Sequence, residues 1–321
     1  DKIMIIDGLN LFIRNFSVLN FINESGSHVG GLGGFLRSLG SLINLIKPTT
    51  VYIIFDGIGS TINRKNILPE YKSGRNVTRL TNWNAFGDLE AENKSKTDQI
   101  IRLIHYLKCL PVKIISLDKV EADDVIAHLS HIHSNEENSK TFIVSADQDF
   151  TQLVNDKITT YRPLNKEFFT PEKIKTVYNI LPSNFIIYKT LMGDQSDVVA
   201  GIKGLGKGKI LKLFPELIDT PITLEDIKEI CTRKYKDHII YSRILFEFNN
   251  LERNYRIMNL SNPLLDEKEK QIIRELKSSN PNQYNPSQFI QLYNEDGLNN
   301  TIKNPSYWLR ETFNYLNSFN K

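Results

Sequence analysis

The chain has 321 residues, 40% of them hydrophobic and 24% charged, with a formal net charge of only +3. That is an ordinary globular composition, long enough for one large or two smaller domains. It excludes a membrane span, and with only Cys109 and Cys231, far apart, it excludes a disulfide framework or a zinc spacing.

In chain order, the first expected strand is Ile3–Ile6, ending at Asp7, and a helix from near Leu9 carries Arg14 about two turns further on. A helix over Leu32–Ile46 leads to a strand over Val51–Phe55 that ends at Asp56. The segment from Gly57 to Thr97 breaks this rhythm. It is polar and basic, and a loop of that length in a compact domain is functional or disordered. Between Ser60 and Leu80 it holds Arg64, Lys65, Lys72, Arg75 and Arg79 against a single acid, Glu70.

The alternation then resumes. A helix over Asp98–Lys108 and a strand over Val112–Ile115 precede Glu121, Asp123 and Asp124 at the start of a helix over Ala122–Ile132. Taken alone, these three acids read slightly better as a helix start, where the macrodipole favours anions. A strand over Thr141–Ser145 delivers Asp147 and Asp149, and Ile158–Tyr161 is the last apolar strand. Strands alternating with helices predict a mostly parallel α/β sheet covered on both faces, with ligands gathered at the carboxyl ends of its strands.

From Pro171 the pattern is helical. Asp194 and Asp197 precede a Gly-rich turn at Gly201–Gly208, and Lys203, Lys207, Lys209 and Lys212 follow with no acid among them. After Asn262 the chain is Asn- and Pro-rich before two helix-like stretches, Gln288–Glu295 and Tyr307–Phe319. The organisation expected is a core over 1–180 with a long basic insertion at about 57–97, a helical region with the Gly-rich turn over 181–260, and a C-terminal helical extension over 261–321 of no assignable role.

Five acidic clusters that converge would repel one another and raise each other's pKa, so they call for cations. That many hard oxygen ligands fit Mg²⁺ or Mn²⁺. In LPEYKSGR, Lys72 is a point charge for phosphate, Arg75 a bidentate fork and Tyr71 a face on which a nucleobase can stack. Gly204 and Gly206 let backbone approach a phosphate, with Lys207 and Lys209 alongside. A rival reading takes Asp147-Gln-Asp149-Phe-Thr151 as the DxDxT motif of haloacid-dehalogenase-like phosphatases, with Asp147 as nucleophile. Others are a non-catalytic helix–hairpin–helix DNA-binding protein and a PIN-type ribonuclease.

DGLNLFIR at Asp7–Arg14, LPEYKSGR, VEADD, SADQD, MGDQSD and GIKGLGKGK run in the order of the flap endonuclease/5′-nuclease family. The chain resembles most the bacteriophage 5′-exonucleases and the 5′-nuclease domain of bacterial DNA polymerase I, from Ile3 to about Pro215. The resemblance implies a PIN-like core, a helix–hairpin–helix module and an arch over the active site. It implies two-metal cleavage of 5′ flaps, 5′ ends and RNA primers at RNA–DNA junctions during replication.

By motif position the first metal is expected at Asp7, Asp56, Glu121, Asp123, Asp124 and Asp147, some acting through water, and the second at Asp147, Asp149, Asp194 and Asp197. Arg14, Tyr71, Lys72 and Arg75 fall on substrate-engaging positions, and the hairpin on one that binds duplex backbone and a K⁺ ion. A monomer in the cytoplasm is expected, the host's for a phage-encoded chain, with a single-strand-binding protein or sliding clamp as the partners to consider. Two departures stand out: Val198 occupies a position where relatives carry Asn, and the hairpin reads GLGKGK in place of a Gly-Ile-Gly-Pro-Lys type.

Overall fold

Ile3 and Ile5 point to one side of the first strand, Met4 and Ile6 to the other, and all four are buried, so both faces of the sheet must be covered. The structure, a computed structural model, describes residues 1–75, 79–298 and 301–319. The chain runs β1 (Lys2–Asp7), α1 (Gly8–Val18), α2 (Gly30–Ile46), β2 (Thr50–Asp56), α3 (Ile62–Ile67), α4 (Leu89–Lys108), β3 (Lys113–Leu117), α5 (Ala122–Ser134), β4 (Lys140–Val144), β5 (Ile158–Arg162) and β6 (Glu167–Phe169). Then follow α6 (Pro171–Tyr178), α7 (Phe185–Met192), the two-residue strands β7 (Gly193–Asp194) and β8 (Val199–Ala200), and α8 (Lys207–Leu213). The remaining helices are α9 (Leu224–Arg233), α10 (Ile239–Phe246), α11 (Phe248–Met258), α12 (Glu267–Ser278), α13 (Pro286–Glu295) and α14 (Pro305–Asn317).

The six-stranded sheet has the order β3-β2-β1-β4-β5-β6, parallel except for the β5–β6 hairpin. The expected α/β sheet with a helical C-terminal region is therefore observed. The chain enters at the centre and builds outward in both directions, so the order reverses between β1 and β4. A crevice opens at such a switch point. On one face α1, α2 and α4 bury Phe12, Phe35 and Leu103 against Met4 and Ile6; on the other α5 buries Val125 and Ile126 against Ile3 and Ile5. The helices from α6 to α11 form a third cluster that also takes in Leu68 and Tyr71.

Several elements differ from expectation. The helix expected at Asp98 begins at Leu89, nine residues earlier, because Asp88 caps it by accepting from the Ala91 N–H at 2.8 Å. Its polar first turns hide it from apolar periodicity. Within them Glu92 is buried and accepts from the Thr81 and Asn82 N–H groups at 2.9 and 2.6 Å, closing the base of the 57–97 segment. Helix α12 and strand β6 were not foreseen; α12 starts on a capping box between Asp266 and Glu269.

The C-terminal helices complete the first core. Phe289, Tyr293, Leu309 and Phe313 pack into it, and Gly40 of α2 lies against the Trp308 indole so closely that a Cβ there would stand 2.3 Å from Nε1. Arg102 and Tyr106 of α4 both reach Asp296, at 2.7 Å each. Among the described residues no helix is long and apolar enough to cross a membrane.

Truncating Phe313, fully buried in that core, tests whether α14 is structural. Phe313→Ala should lower the unfolding free energy by about 3–5 kcal/mol in urea denaturation; a loss under about 1 kcal/mol would make the tail an appendage.

Candidate active site

Asp7 is the last residue of β1 and the N-cap of α1. Its Oδ1 accepts from the Asn10 N–H and its Oδ2 from the Ser145 hydroxyl, both at 3.0 Å. Asp56 ends β2 and accepts from the Ala122 N–H at 2.8 Å, at the positive end of α5. Asp147 follows β4, and its Oδ1 accepts from the Asp149 N–H at 2.8 Å. Asn10 ties the two central strand ends together, its Oδ1 accepting from the Ala146 N–H at 3.0 Å.

These elements enclose a cleft of about 420 Å³ lined by Asp7, Asp56, Asp123, Asp147 and Asp197, with Asn10, Arg14 and Lys72 on its walls. Lys72 enters from the base of the 57–97 segment: its N–H donates to the Asp197 carbonyl at 3.0 Å and its ammonium to Glu121. Burial opposes the Lys72 charge, but Glu121 and Asp123 outweigh it and raise the pKa. One nitrogen of Arg14, Nη1, is buried with no hydrogen-bond partner among the described residues.

The crowding has an electrostatic cost. Burial, then Asp147 and Asp56, push Asp7 up to about 7. Burial, then Asp147 and Asp7, hold Asp123 well above the usual carboxylate range. Among the described residues no three acidic, His or Cys side chains already stand in a coordinating group. The donor set nonetheless fits a hard dication, because these carboxylates raise one another for want of a counter-charge.

Four expected ligands lie outside the cleft. Glu121 and Asp124 are turned away from it by Arg64 of α3, 4% exposed, whose Nη1 reaches Glu121 and also Asp124 Oδ2 at 2.5 Å, while its Nη2 reaches Asp124 Oδ1 at 3.0 Å. Asp124 Oδ1 also accepts from the Leu264 N–H at 3.0 Å. Both acids pair with Arg64, which leaves Asp7, Asp56, Asp123 and Asp147 as the cleft-lining members of the six acids expected at the first metal. Asp149 and Asp194 form a separate pair, bridged by Lys189 of α7. Burial, then Asp147, raise Asp149 to about 6; burial would raise Asp194 too, but Lys189 and Ser196 bring it down to about 2.

Tyr71 offers no exposed ring. It is 3% exposed, with its hydroxyl donating to Asp197 at 3.2 Å and lying 3.4 Å from Glu121. The apolar helical cluster beneath the 57–97 segment claims the ring, so base stacking gives way to bracing of Asp197. Arg75 closes a short 3₁₀ turn, Ser73–Arg75, and its side chain lies outside the described residues.

Gly204, with φ +81°, shapes the hairpin before α8, and Gly206 caps that helix, with Lys207 and Lys209 exposed. The Gly204 carbonyl accepts from Lys209 at 3.3 Å and the Lys203 carbonyl from Arg243. Val198 has φ +61°, a conformation strained for a β-branched residue and easy for the Asn expected there.

Sequence reasoning missed Lys189, Asn10 and Ser145, and the inward role of Arg64. Lys189 had a signal: it is the single charge in the apolar helix FIIYKTLM, and buried charges are paired.

Arg64→Ala should cost about 3–5 kcal/mol in denaturant melts, because it strands two buried carboxylates; a loss below about 1 kcal/mol would mean that Glu121 and Asp124 reach water or other partners unaided. Chelated protein should show a pH signature. A carboxyl raised from 3.8 to about 7 by folding contributes stability that is full below the lower value and lost as pH rises through the upper. The melting temperature in EDTA should therefore fall across that window, and Asp7→Asn should flatten the fall; an unaltered slope would place Asp7 outside the electrostatic cluster.

A family model described as 5′-3′ exonuclease, N-terminal resolvase-like domain, matches residues 2–179. The 5′-3′ exonuclease of Buchnera aphidicola (from Acyrthosiphon pisum) is 30% identical over 271 residues, 83% of this chain and 87% of that protein. DNA polymerase I of Bacillus subtilis is 30% identical over 243 residues, 74% of this chain, and the match spans 26% of its length. The flap endonuclease of bacteriophage T5, solved with DNA and metal ions, shares the fold with a TM-score of 0.70 at 18% identity, covering 87% of this chain and 100% of that one. The family match includes Asp147-Gln-Asp149-Phe-Thr151, so that sequence is part of a nuclease domain and the phosphatase alternative is set aside. On these grounds the chain belongs to the 5′-3′ exonuclease family and is a nuclease, a hydrolase of phosphodiester bonds.

Proposed function

We propose that this nuclease is structure-specific, cutting DNA at 5′ flaps and 5′ ends, and RNA primers at RNA–DNA junctions, during replication. The observation that carries this reading is one cleft in which Asp7, Asp56, Asp123, Asp147 and Asp197 face the cations Arg14 and Lys72. A purely acidic site would hold ions and repel a phosphodiester; a purely basic one would bind the diester and leave it intact.

The proposed ligands for a first Mg²⁺ or Mn²⁺ are Asp7, Asp56, Asp123 and Asp147, and for a second Asp147, Asp149, Asp194 and Asp197. Bound divalent ions would supply Lewis acidity toward the phosphate and acidify a water. Asn10 and Ser145 hold the central carboxylates in register. Arg14, with its buried orphan Nη1, is suited to a non-bridging phosphate oxygen. Lys72 keeps its charge among acids and is suited to the charge that develops on the reacting phosphate. Tyr71 and the Lys72 backbone brace Asp197, and Arg75 is kept as a proposed phosphate contact on charge alone.

The 57–97 segment is proposed as the clamp on the single strand, and the hairpin with Lys207 and Lys209 as the grip on duplex backbone. A K⁺ ion at the hairpin is part of the proposal, since the Gly204 and Lys203 carbonyls that accept from Lys209 and Arg243 each keep a second lone pair.

End-labelled flap, nicked, overhang and RNA–DNA substrates in Mg²⁺ test the reading through product lengths. Cutting near the junction supports it, and equal degradation of all substrates would sink it. Lys72→Ala should lower single-turnover cleavage by about a hundredfold while junction affinity changes by no more than about threefold; equal losses would reduce Lys72 to a backbone contact.

A further inference from the structure

We infer that Lys189 is a built-in counter-ion that holds the Asp149–Asp194 pair closed until a divalent ion displaces it. The inference deepens the two-ion reading above and rests on it. Lys189 is the one charged residue of α7, and its side chain is 12% exposed. Its ammonium donates to Asp149 and, at 2.8 Å, to Asp194 Oδ2; those two side chains are 17% and 19% exposed. The acids come from separate elements, Asp149 from the turn after β4 and Asp194 from β7, and the ammonium joins them across 40 and 5 residues of sequence.

An ammonium and a dication both need these oxygen lone pairs, and both cannot have them. Without the ion, removing the ammonium would leave two largely buried carboxylates uncompensated, which is strongly unfavourable. With the ion, the ammonium is redundant and repelled, and its flexible four-carbon stem lets it leave. The second ion therefore enters by exchange and binds more weakly than its carboxylates alone would dictate. A phosphodiester shifts that exchange toward the ion, because it brings negative charge both for the dication and for the released ammonium. Second-ion occupancy and substrate binding are thus coupled, and by linkage the coupling runs both ways. Lys189 is a positioning residue, acting on Asp149 and Asp194.

The test is Mn²⁺ binding to the full chain without DNA, by calorimetry and by Mn²⁺ electron paramagnetic resonance, for the unaltered protein, Lys189→Met, Lys189→Gln and Asp149→Asn. Lys189→Gln keeps a hydrogen-bond donor for the acids, so it covers the case in which Lys189→Met fails to fold without metal. The expected result is one tight and one weak Mn²⁺ in the unaltered protein. The weak site should tighten by about tenfold or more in both neutral variants, the tight site should stay the same, and Mn²⁺ should raise the melting temperature more than in the unaltered protein. An unchanged or weakened second site in the neutral variants, with two Mn²⁺ still bound, would overturn the counter-ion role and leave the two-ion reading standing. Mn²⁺ binding by Asp149→Asn identical to that of the unaltered protein would remove the two-ion reading itself, and this inference with it.

Discussion

Repulsion among carboxylates gathered at one edge of a buried sheet is the constraint on which the rest of the molecule depends. β1, β2 and β4 each deliver an aspartate to the same edge, and α5 and the turn before β8 add more. Left to themselves these groups would protonate, as Asp7 and Asp123 show by their raised pKa values. The fold answers with its own cations, each assigned to a different subset: Arg64 to Glu121 and Asp124, Lys72 to Glu121, Lys189 to Asp149 and Asp194. Only the remaining carboxylates face the cleft. The protein thus pairs part of its acids with internal cations and leaves Asp7, Asp56, Asp123, Asp147 and Asp197 lining the cleft.

Arg64 makes that division mechanical as well as electrostatic. It projects from α3, touches Glu121 just before α5 and Asp124 within it, and donates through Nε to the Ile257 carbonyl of α11 at 3.0 Å. One guanidinium therefore fixes the base of the 57–97 segment, the sheet-covering helix and the helical region relative to one another. Its planar fork and permanent charge suit three partners at once, which an ammonium could not satisfy in the same geometry. Lys72, a few residues on, is carried into the cleft from that fixed base.

Much of this was legible in sequence, for identifiable reasons. Apolar strands ending in Asp announce a buried parallel sheet, and Asp7 and Asp56 do end their strands, with Asp147 just after β4, at one edge. The Gly-rich hairpin is readable because Gly204 needs a positive φ. Other features gave weaker signals. Tyr71 looks like a surface aromatic within a basic segment, yet an apolar cluster beneath the segment buries it. The start of α4 is hidden because its first turns are charged, and Glu92 is buried there only because Thr81 and Asn82 loop back onto it.

The residue types alone determined that the chain has an α/β core and that its crowded acids need cations, and their charge is what suggests phosphate as the ligand proposed for Lys72 and the hairpin lysines. Those conclusions depend on local pattern and on charge, which sequence carries directly. Tertiary structure alone decided the strand order, with its reversal between β1 and β4 that opens the cleft, and decided which acid meets which cation. Such pairings, as Arg64 to Asp124 across 60 residues or Lys189 to Asp149 across 40, leave no local trace. Their partners are chosen by packing, because a buried charge must find whichever opposite charge the fold brings within reach.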